Sequence, residues 1–170
     1  NNVTALLKDR SGTIWVGTYG GGLNLYRAAS DDFLRFQHNP NVSTSISNDF
    51  ISALFQDRSG IIWVGTAWKG VNKILLNYGK FQHYEHIREN PKSISNNIIW
   101  SVFQAANGAI YLGTEDGVNA LDRVNDRIKF FRHAPDNPNS LPSNQIRSVF
   151  CDSRGMWWQG TFGQGVDRYN

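Results

Sequence analysis

An all-β fold assembled from repeated four-stranded antiparallel modules is what the sequence predicts, and three observations predict it. The first is self-similarity: Val3–Thr18 aligns with Ile51–Thr66 without a gap, and weaker copies run from Ile99 to Thr114 and from Ile146 to Thr161. Their starts lie 48, 48 and 47 residues apart. The shorter interval is visible within the chain, because Thr18, Thr66 and Thr161 precede Gly22, Gly70 and Gly165 by four residues whereas Thr114 precedes Gly117 by three. The second observation is that apolar residues come in short runs closed by Asp, Ser, Asn and Gly, with no 3.6-residue periodicity. The third is composition: 40% hydrophobic against 18% charged residues suits a packed globular chain and not a disordered one.

The elements follow in order within each copy. Strand A is read at Val3 to Lys8, Ile51 to Gln56, Ile99 to Gln104 and Ile146 to Cys151. A tight turn ends it, Asp9-Arg10-Ser11-Gly12 and its relatives, where an Asp side chain folds onto local backbone and Gly accepts positive φ. Strand B follows at Ile14 to Thr18, Ile62 to Val64, Ile110 to Leu112 and Trp157 to Gln159. Strand C runs through Leu23 to Tyr26, Val71 to Ile74, Val118 to Leu121 and Val166 to Tyr169. Strand D is marked by Phe33 and Phe36, Phe81 and Tyr84, and Ile128 and Phe131, and the fourth copy stops before it, so 15 strands are expected. Small residues at the third position of strand A, Ala5, Ala53, Ser101 and Ser148, suit an inner strand crowded near an axis.

Four short antiparallel strands recurring at about 40 to 50 residues are the signature of a β-propeller blade. The expectation is a partial β-propeller of about three and a half to four blades, with blade 1 at 1–47, blade 2 at 48–95, blade 3 at 96–142 and an incomplete blade 4 at 143–170. Propellers close with four to eight blades. The opening Asn1-Asn2-Val3-Thr4 has no initiator Met, basic region or apolar core, so the chain reads as a piece of a longer protein. Its end blades are expected to meet remaining propeller blades or a second copy of the chain.

The copies resemble two-component regulator propeller repeats. The resemblance rests on Asp57-Arg58-Ser59-Gly60, Trp63-Val64-Gly65-Thr66 and Gly21-Gly22-Leu23-Asn24, and on the linker Asn90-Pro91-Lys92-Ser93-Ile94-Ser95-Asn96 that introduces a new blade. Copy three departs at Ala105-Ala106-Asn107-Gly108 and Tyr111, and copy four at Trp157 and Gln159. The resemblance implies the extracytoplasmic, periplasmic sensor region of a bacterial membrane receptor such as a hybrid histidine kinase, with many such receptors responding to oligosaccharides.

Several functions are disfavoured by the residues themselves. Net charge is +3 and the basic residues are scattered, so nucleic acid is not an expected partner. No apolar run approaches the roughly 18 residues of a membrane helix, so no membrane contact by this segment is expected. Cys151 is the only cysteine, and His38, His86 and His133 occupy equivalent positions a whole blade apart, so neither a disulfide nor a metal site is expected, and no cofactor. His83 has no counterpart and is expected to face solvent. The turn aspartates Asp9, Asp57 and Asp152 are equivalent too, and Ala105 replaces them in copy three, so a turn role is expected rather than catalysis.

Comparing copies separates scaffold from surface. Trp15, Trp63, Tyr111 and Trp158 recur, and aromatics in every copy are expected to pack between neighbouring blades. Positions that differ between copies are the candidates for ligand contact. If strand A runs along the axis, the B-to-C and D-to-A loops meet at one end. The B-to-C loops carry Tyr19, Trp68 with Lys69, Glu115 with Asp116, and Phe162 with Gln164; the D-to-A loops carry Asn1, Asn97 and Asn144; and the second position of strand A is Thr4, Ser52, Trp100 and Arg147. Aromatic faces stack on sugar rings while amides and charged groups pair with hydroxyls, so an oligosaccharide or other small polar ligand is the expected partner, with Trp100 and Trp68 the leading candidates. The rival functions are a dimerisation scaffold without a small ligand, and a lyase or glycosidase that would use the adjacent carboxylates Glu115 and Asp116.

Overall fold

The computed structural model describes residues 2–75, 80–122, 124–125 and 127–169. Fifteen strands are present among them: β1 (Val3–Lys8), β2 (Ile14–Thr18), β3 (Leu23–Arg27) and β4 (Asp32–Phe36); β5 (Ile51–Gln56), β6 (Ile62–Thr66), β7 (Val71–Leu75) and β8 (Lys80–Tyr84); β9 (Ile99–Gln104), β10 (Ile110–Thr114), β11 (Gly117–Asp122) and β12 (Arg127–Phe131); and β13 (Ile146–Cys151), β14 (Trp157–Thr161) and β15 (Val166–Tyr169). Each group forms its own antiparallel sheet in sequential order, three of four strands and the last of three. The first strands of successive sheets touch, β1 with β5, β5 with β9 and β9 with β13. The fold is a partial β-propeller whose sheets do not close into a ring.

The blades are joined by three apolar cores, each straddling a seam. At the seam between blades 1 and 2, Trp15 and Leu23 meet Ile46, Ile51, Ile62, Val64, Ile74 and Phe81. Trp63 and Val71 do the same against Ile94, Ile99, Ile110, Leu112 and Leu121 at the next seam. At the third, Val118 meets Leu141, Ile146 and Val149, with Tyr111 and Trp157 packed against them. Trp15 and Trp63 are therefore inter-blade residues as expected, and Tyr111 takes the same place; Trp158 holds the equivalent position of blade 4, on the face turned away from blade 3. The small residues of strand A have a more specific cause than crowding at an axis. A Cβ on Gly17 would meet Ile51 at 2.6 Å and Ala5 at 3.3 Å, and one on Gly65 would meet Ile99 at 3.0 Å and Ala53 at 3.2 Å. Small residues on A and Gly on B thus make a notch that receives the first Ile of the following blade.

Asp9 shows how the turn serves the core. Its Oδ1 accepts from the Ser11 and Thr13 amides at 2.9 and 3.0 Å, and its Oδ2 accepts from Trp15 Nε1 at 2.9 Å. Asp57 and Asp152 hold Trp63 and Trp158 in the same way, at 3.1 and 3.2 Å. Copy three changes both partners together: Tyr111 has no indole N–H, and Ala105 needs no carboxylate. Burial opposes ionisation of Asp9, yet the bonds from Ser11, Trp15 and Thr13 outweigh it and hold the carboxyl below its ordinary range.

The histidines hold the linkers. His38, His86 and His133 place Nδ1 2.9, 2.8 and 2.6 Å from the carbonyls of Ile46, Ile94 and Leu141, so Nδ1 carries the proton and pins each linker over its core. His83 is exposed, and its Nε2 lies 2.7 Å from the Ser45 carbonyl. Among the described residues, no group of three or more His, Cys, Asp or Glu is arranged to hold a metal ion.

Candidate functional site

The B-to-C loop of each blade is hooked to the linker that enters the next blade. The Gly20 and Gly22 amides donate to the Asp49 carbonyl, Gly70 to Asn97 and Gly117 to Asn144. These bonds bring the varying loops onto one rim, as the reading of strand A anticipates. The strand A positions reach that rim by a device the sequence does not show. In every blade the A–B register slips at the second residue of strand A, between Val3 and Ala5, Ile51 and Ala53, Ile146 and Ser148, and at Gly113/Thr114 opposite Trp100. A β-bulge frees one residue from the ladder and re-aims its side chain. Thr4, Ser52, Trp100 and Arg147 are those residues.

Their roles then divide. Thr4 donates its hydroxyl to the Ile51 carbonyl at 2.5 Å, and Ser52 donates to Ile99, each tying its blade to the next. Trp100 has no hydroxyl to offer Ile146. Its indole Nε1 donates instead to Glu115 Oε1 at 2.7 Å. Arg147, from blade 4, reaches the same oxygen at 3.0 Å, and Gln145 donates to Glu115 Oε2 at 2.8 Å. The Arg147 guanidinium lies 3.8 Å from the Trp100 ring centre and 4.9 Å from that of Phe162. Trp100, Glu115, Arg147 and Phe162 thus form one polar and aromatic cluster across the third seam. The Glu115 and Arg147 side chains keep 18% and 31% exposure, so the cluster is accessible yet shielded enough for its charges to matter.

A second cluster stands at the first seam. Tyr19 and Trp68 flank Phe50, with ring centres 4.5 and 4.8 Å from it and edge-on geometry. Tyr19 and Trp68 are both about half exposed, at 55% and 47%. Phe50 precedes strand A, a position held by Asn2, Ile98 and Gln145 in the other copies, and its place between the two rings depends on the fold.

The remaining candidates are placed as follows. Asp116 turns away from Glu115 and pairs with Arg132 at 2.7 Å. Asn97 and Asn144 accept the His86 and His133 amides through their side-chain oxygens at 2.6 and 2.7 Å, a linker role shared by Asp49 with His38. The Lys69 carbonyl accepts from Ser47 Oγ at 3.0 Å, while its side chain is exposed at the rim beside Trp68. Gln164 is exposed at the tip of the blade 4 loop. Asn1 lies outside the described residues.

At the outer edge of the third seam, beside β15, the last described strand of blade 4, lies an open pocket lined by Tyr111, Phe131, Leu141, Trp157, Gln159 and Tyr169, among others. Gln159 stands where Val64 and Leu112 fill the other seams. It is 7% exposed, and its Oε1 has no hydrogen-bond partner among the described residues.

Comparison with known proteins agrees with the repeat pattern. Residues 1–20 and 45–68 match the two-component regulator propeller family. These two stretches, in blades 1 and 2, are similar to two-component regulator propeller repeats. Among solved structures, these repeats are similar to the extracellular domain of the hybrid two-component system BT3049 of B. thetaiotaomicron, with 25% identity and a TM-score of 0.85, covering 100% of this chain and 22% of that one. The extracellular domain of BT4673 from the same organism matches at 27% identity and a TM-score of 0.80, with 100% and 22% covered. The chain therefore spans about a fifth of those relatives. Virginiamycin B lyase from Staphylococcus aureus, at 12% identity and a TM-score of 0.63 over 99% of this chain and 55% of that one, shares the fold. No curated protein matches the propeller repeats in sequence.

Proposed function

We propose that the chain is part of the periplasmic sensor propeller of a bacterial two-component receptor, and that its rim recognises an oligosaccharide or similar polar ligand. The observation that carries this reading is the third-seam cluster. At the position where sister blades keep a hydroxyl for the scaffold, this blade places Trp100 and surrounds it with Glu115, Arg147 and Phe162. Flat aromatic surface beside paired hydrogen-bonding groups is the chemistry that grips a sugar ring and its hydroxyls. The exposed Tyr19–Phe50–Trp68 group supplies a second aromatic surface on the same rim. The likeness to extracellular domains of two-component systems supports a sensing role. The kinase output and the membrane anchor belong to the receptor beyond this segment.

Recognition is favoured over hydrolysis because Glu115 and Asp116 do not face a common point: one is saturated by Trp100, Arg147 and Gln145, and the other pairs with Arg132. The end faces favour docking to further blades. Leu6 and Ile14 are 68% and 40% exposed, while Ile62 and Ile110, the counterparts of Ile14, are fully buried.

The test is binding to a panel of neutral and uronic-acid oligosaccharides. The account expects binding that falls about tenfold or more in Trp100→Ala, the loss of an aromatic stacking surface being worth about 1–3 kcal/mol by analogy with base stacking. Ser52→Ala, at the scaffold version of the same position, leaves binding unchanged. Equal binding by wild type and Trp100→Ala would contradict the reading.

A further inference from the structure

The three seams are not held together in the same way. At the first, the Thr4 hydroxyl reaches Ile51, and Arg10 binds across to Gln56 Oε1 through its amide at 2.9 Å and to the Arg58 carbonyl through Nη1 at 2.7 Å. The second repeats the pattern with Ser52 to Ile99, Arg58 to Gln104 at 2.8 Å, and Arg58 to the Ala105 carbonyl. At the third, every one of these positions has changed: Trp100 replaces the hydroxyl, Ala106 replaces the arginine and Cys151 replaces the glutamine. The linker has changed with them. Ser47 and Ser95 exchange bonds with Asn72 and Asn119, but their counterparts are Pro142, which has no N–H, and Asp167. Of the recurring polar ties across a seam, those that end on Asn144 are retained: the Gly117 amide to its carbonyl and the His133 amide to its side-chain oxygen, both at 2.7 Å.

What replaces the lost ties is the rim cluster, together with the Tyr169 hydroxyl of blade 4, which donates to the Ser140 carbonyl of the linker. Glu115 of blade 3 is bound by Arg147 and Gln145 from the blade 4 side, and Arg147 lies on the Trp100 ring. Deeper in the seam stands Gln159, its Oε1 without a partner among the described residues, where Val64 and Leu112 fill the other seams. We propose that the seam between blades 3 and 4 is the movable joint of this propeller segment, with Glu115 as its clasp. Anything seated on Trp100 and Arg147 then acts on the joint, because it competes for the bonds that close it. For its input this rests on the rim being a recognition site; the mechanics do not. A ligand moves such an equilibrium only through its different affinity for the closed and open arrangements, and the shared residues supply that difference.

Hydrogen exchange offers an internal control, since the Gly117 and Gly70 amides make the same cross-seam bond at different seams. The account expects the Gly117 amide to exchange about tenfold or more faster than that of Gly70. Arg147→Ala, remote from Gly117 in sequence, accelerates Gly117 further and leaves Gly70 unchanged. Trp100→Ser, which restores the hydroxyl found in blade 2, slows Gly117 toward the Gly70 rate. Equal rates in the wild type, or no response to Arg147→Ala, would overturn the joint. Adding the oligosaccharide panel tests the input: binding that leaves Gly117 exchange unchanged overturns the coupling. No binding at all counts against the recognition reading alone, because the variants probe the joint without a ligand.

Discussion

Trp15 and Asp9 show what a recurring residue does here. The indole is buried, and its one polar atom is satisfied by a carboxylate that also closes the turn. Asp9→Ala leaves that N–H buried without an acceptor, at a cost of about 1–3 kcal/mol. Copy three supplies the natural compensation, Ala with Tyr, so the double variant Asp9→Ala/Trp15→Tyr is expected to lose less stability than the two single losses added together. A double-mutant cycle by urea denaturation measures this; strict additivity would mean that the pair is not coupled. The pH dependence has a definite sign. The folded-state pKa of Asp9 is depressed, so its contribution is fully present above the ordinary carboxylate value of about 3.9 and is lost as pH falls through the lower folded value. Asp9→Asn therefore flattens the acid limb of the stability profile measured by tryptophan fluorescence, and an unchanged limb would show that other carboxylates set it.

At the scale of elements, the strands were legible because short apolar runs closed by turn residues mark them, and the fifteen expected strands are those found among the described residues. The bulge was not legible. Alternation along Val3-Thr4-Ala5-Leu6 reads equally well as an unbroken ladder, and the register slip appears only when strand B is placed beside it. Ile46, Ile94 and Leu141 were also hidden, since a lone aliphatic residue among Ser, Asn and Pro carries no periodicity, yet all three are buried. Trp157 was visible only as a departure; its place against Tyr111, 4.3 Å between ring centres, depends on two blades meeting. The Gly–Ile notch gives a direct test at this scale. Gly17→Ala forces the new methyl against Ile51, and overpacking of this kind costs about 1–3 kcal/mol. Gly12→Ala, in the turn with open space around it, carries the strain of its positive φ but no clash. Ile51→Ala removes the Cγ2 that the new methyl meets, so it should cost less in the Gly17→Ala background than in the wild type or in Gly12→Ala; equal costs in all three would place the Gly17 strain elsewhere.

For the whole molecule, the governing idea is that equivalent positions build the scaffold and divergent ones do the work. Sequence comparison found Trp100, Arg147, Glu115 and Phe162 as divergent but could not bring them together, because they come from two blades and meet only across a folded seam. It also placed Asn97 and Asn144 among the candidates, behind Trp100 and Trp68, and their side-chain oxygens secure linkers. The end faces make a separate prediction. With Leu6 and Ile14 uncovered, the chain on its own is expected to associate as concentration rises, and Leu6→Lys to weaken that association in light scattering. A wild type that stays monomeric throughout would show that these residues tolerate water. The most direct test of the account is a crystal structure of the protein grown with an oligosaccharide from the binding panel. The account predicts sugar density against the Trp100 ring and within hydrogen-bonding distance of Arg147, at the rim of the third seam. Sugar held elsewhere, on the outer strands or the turn end of the blades, would contradict it.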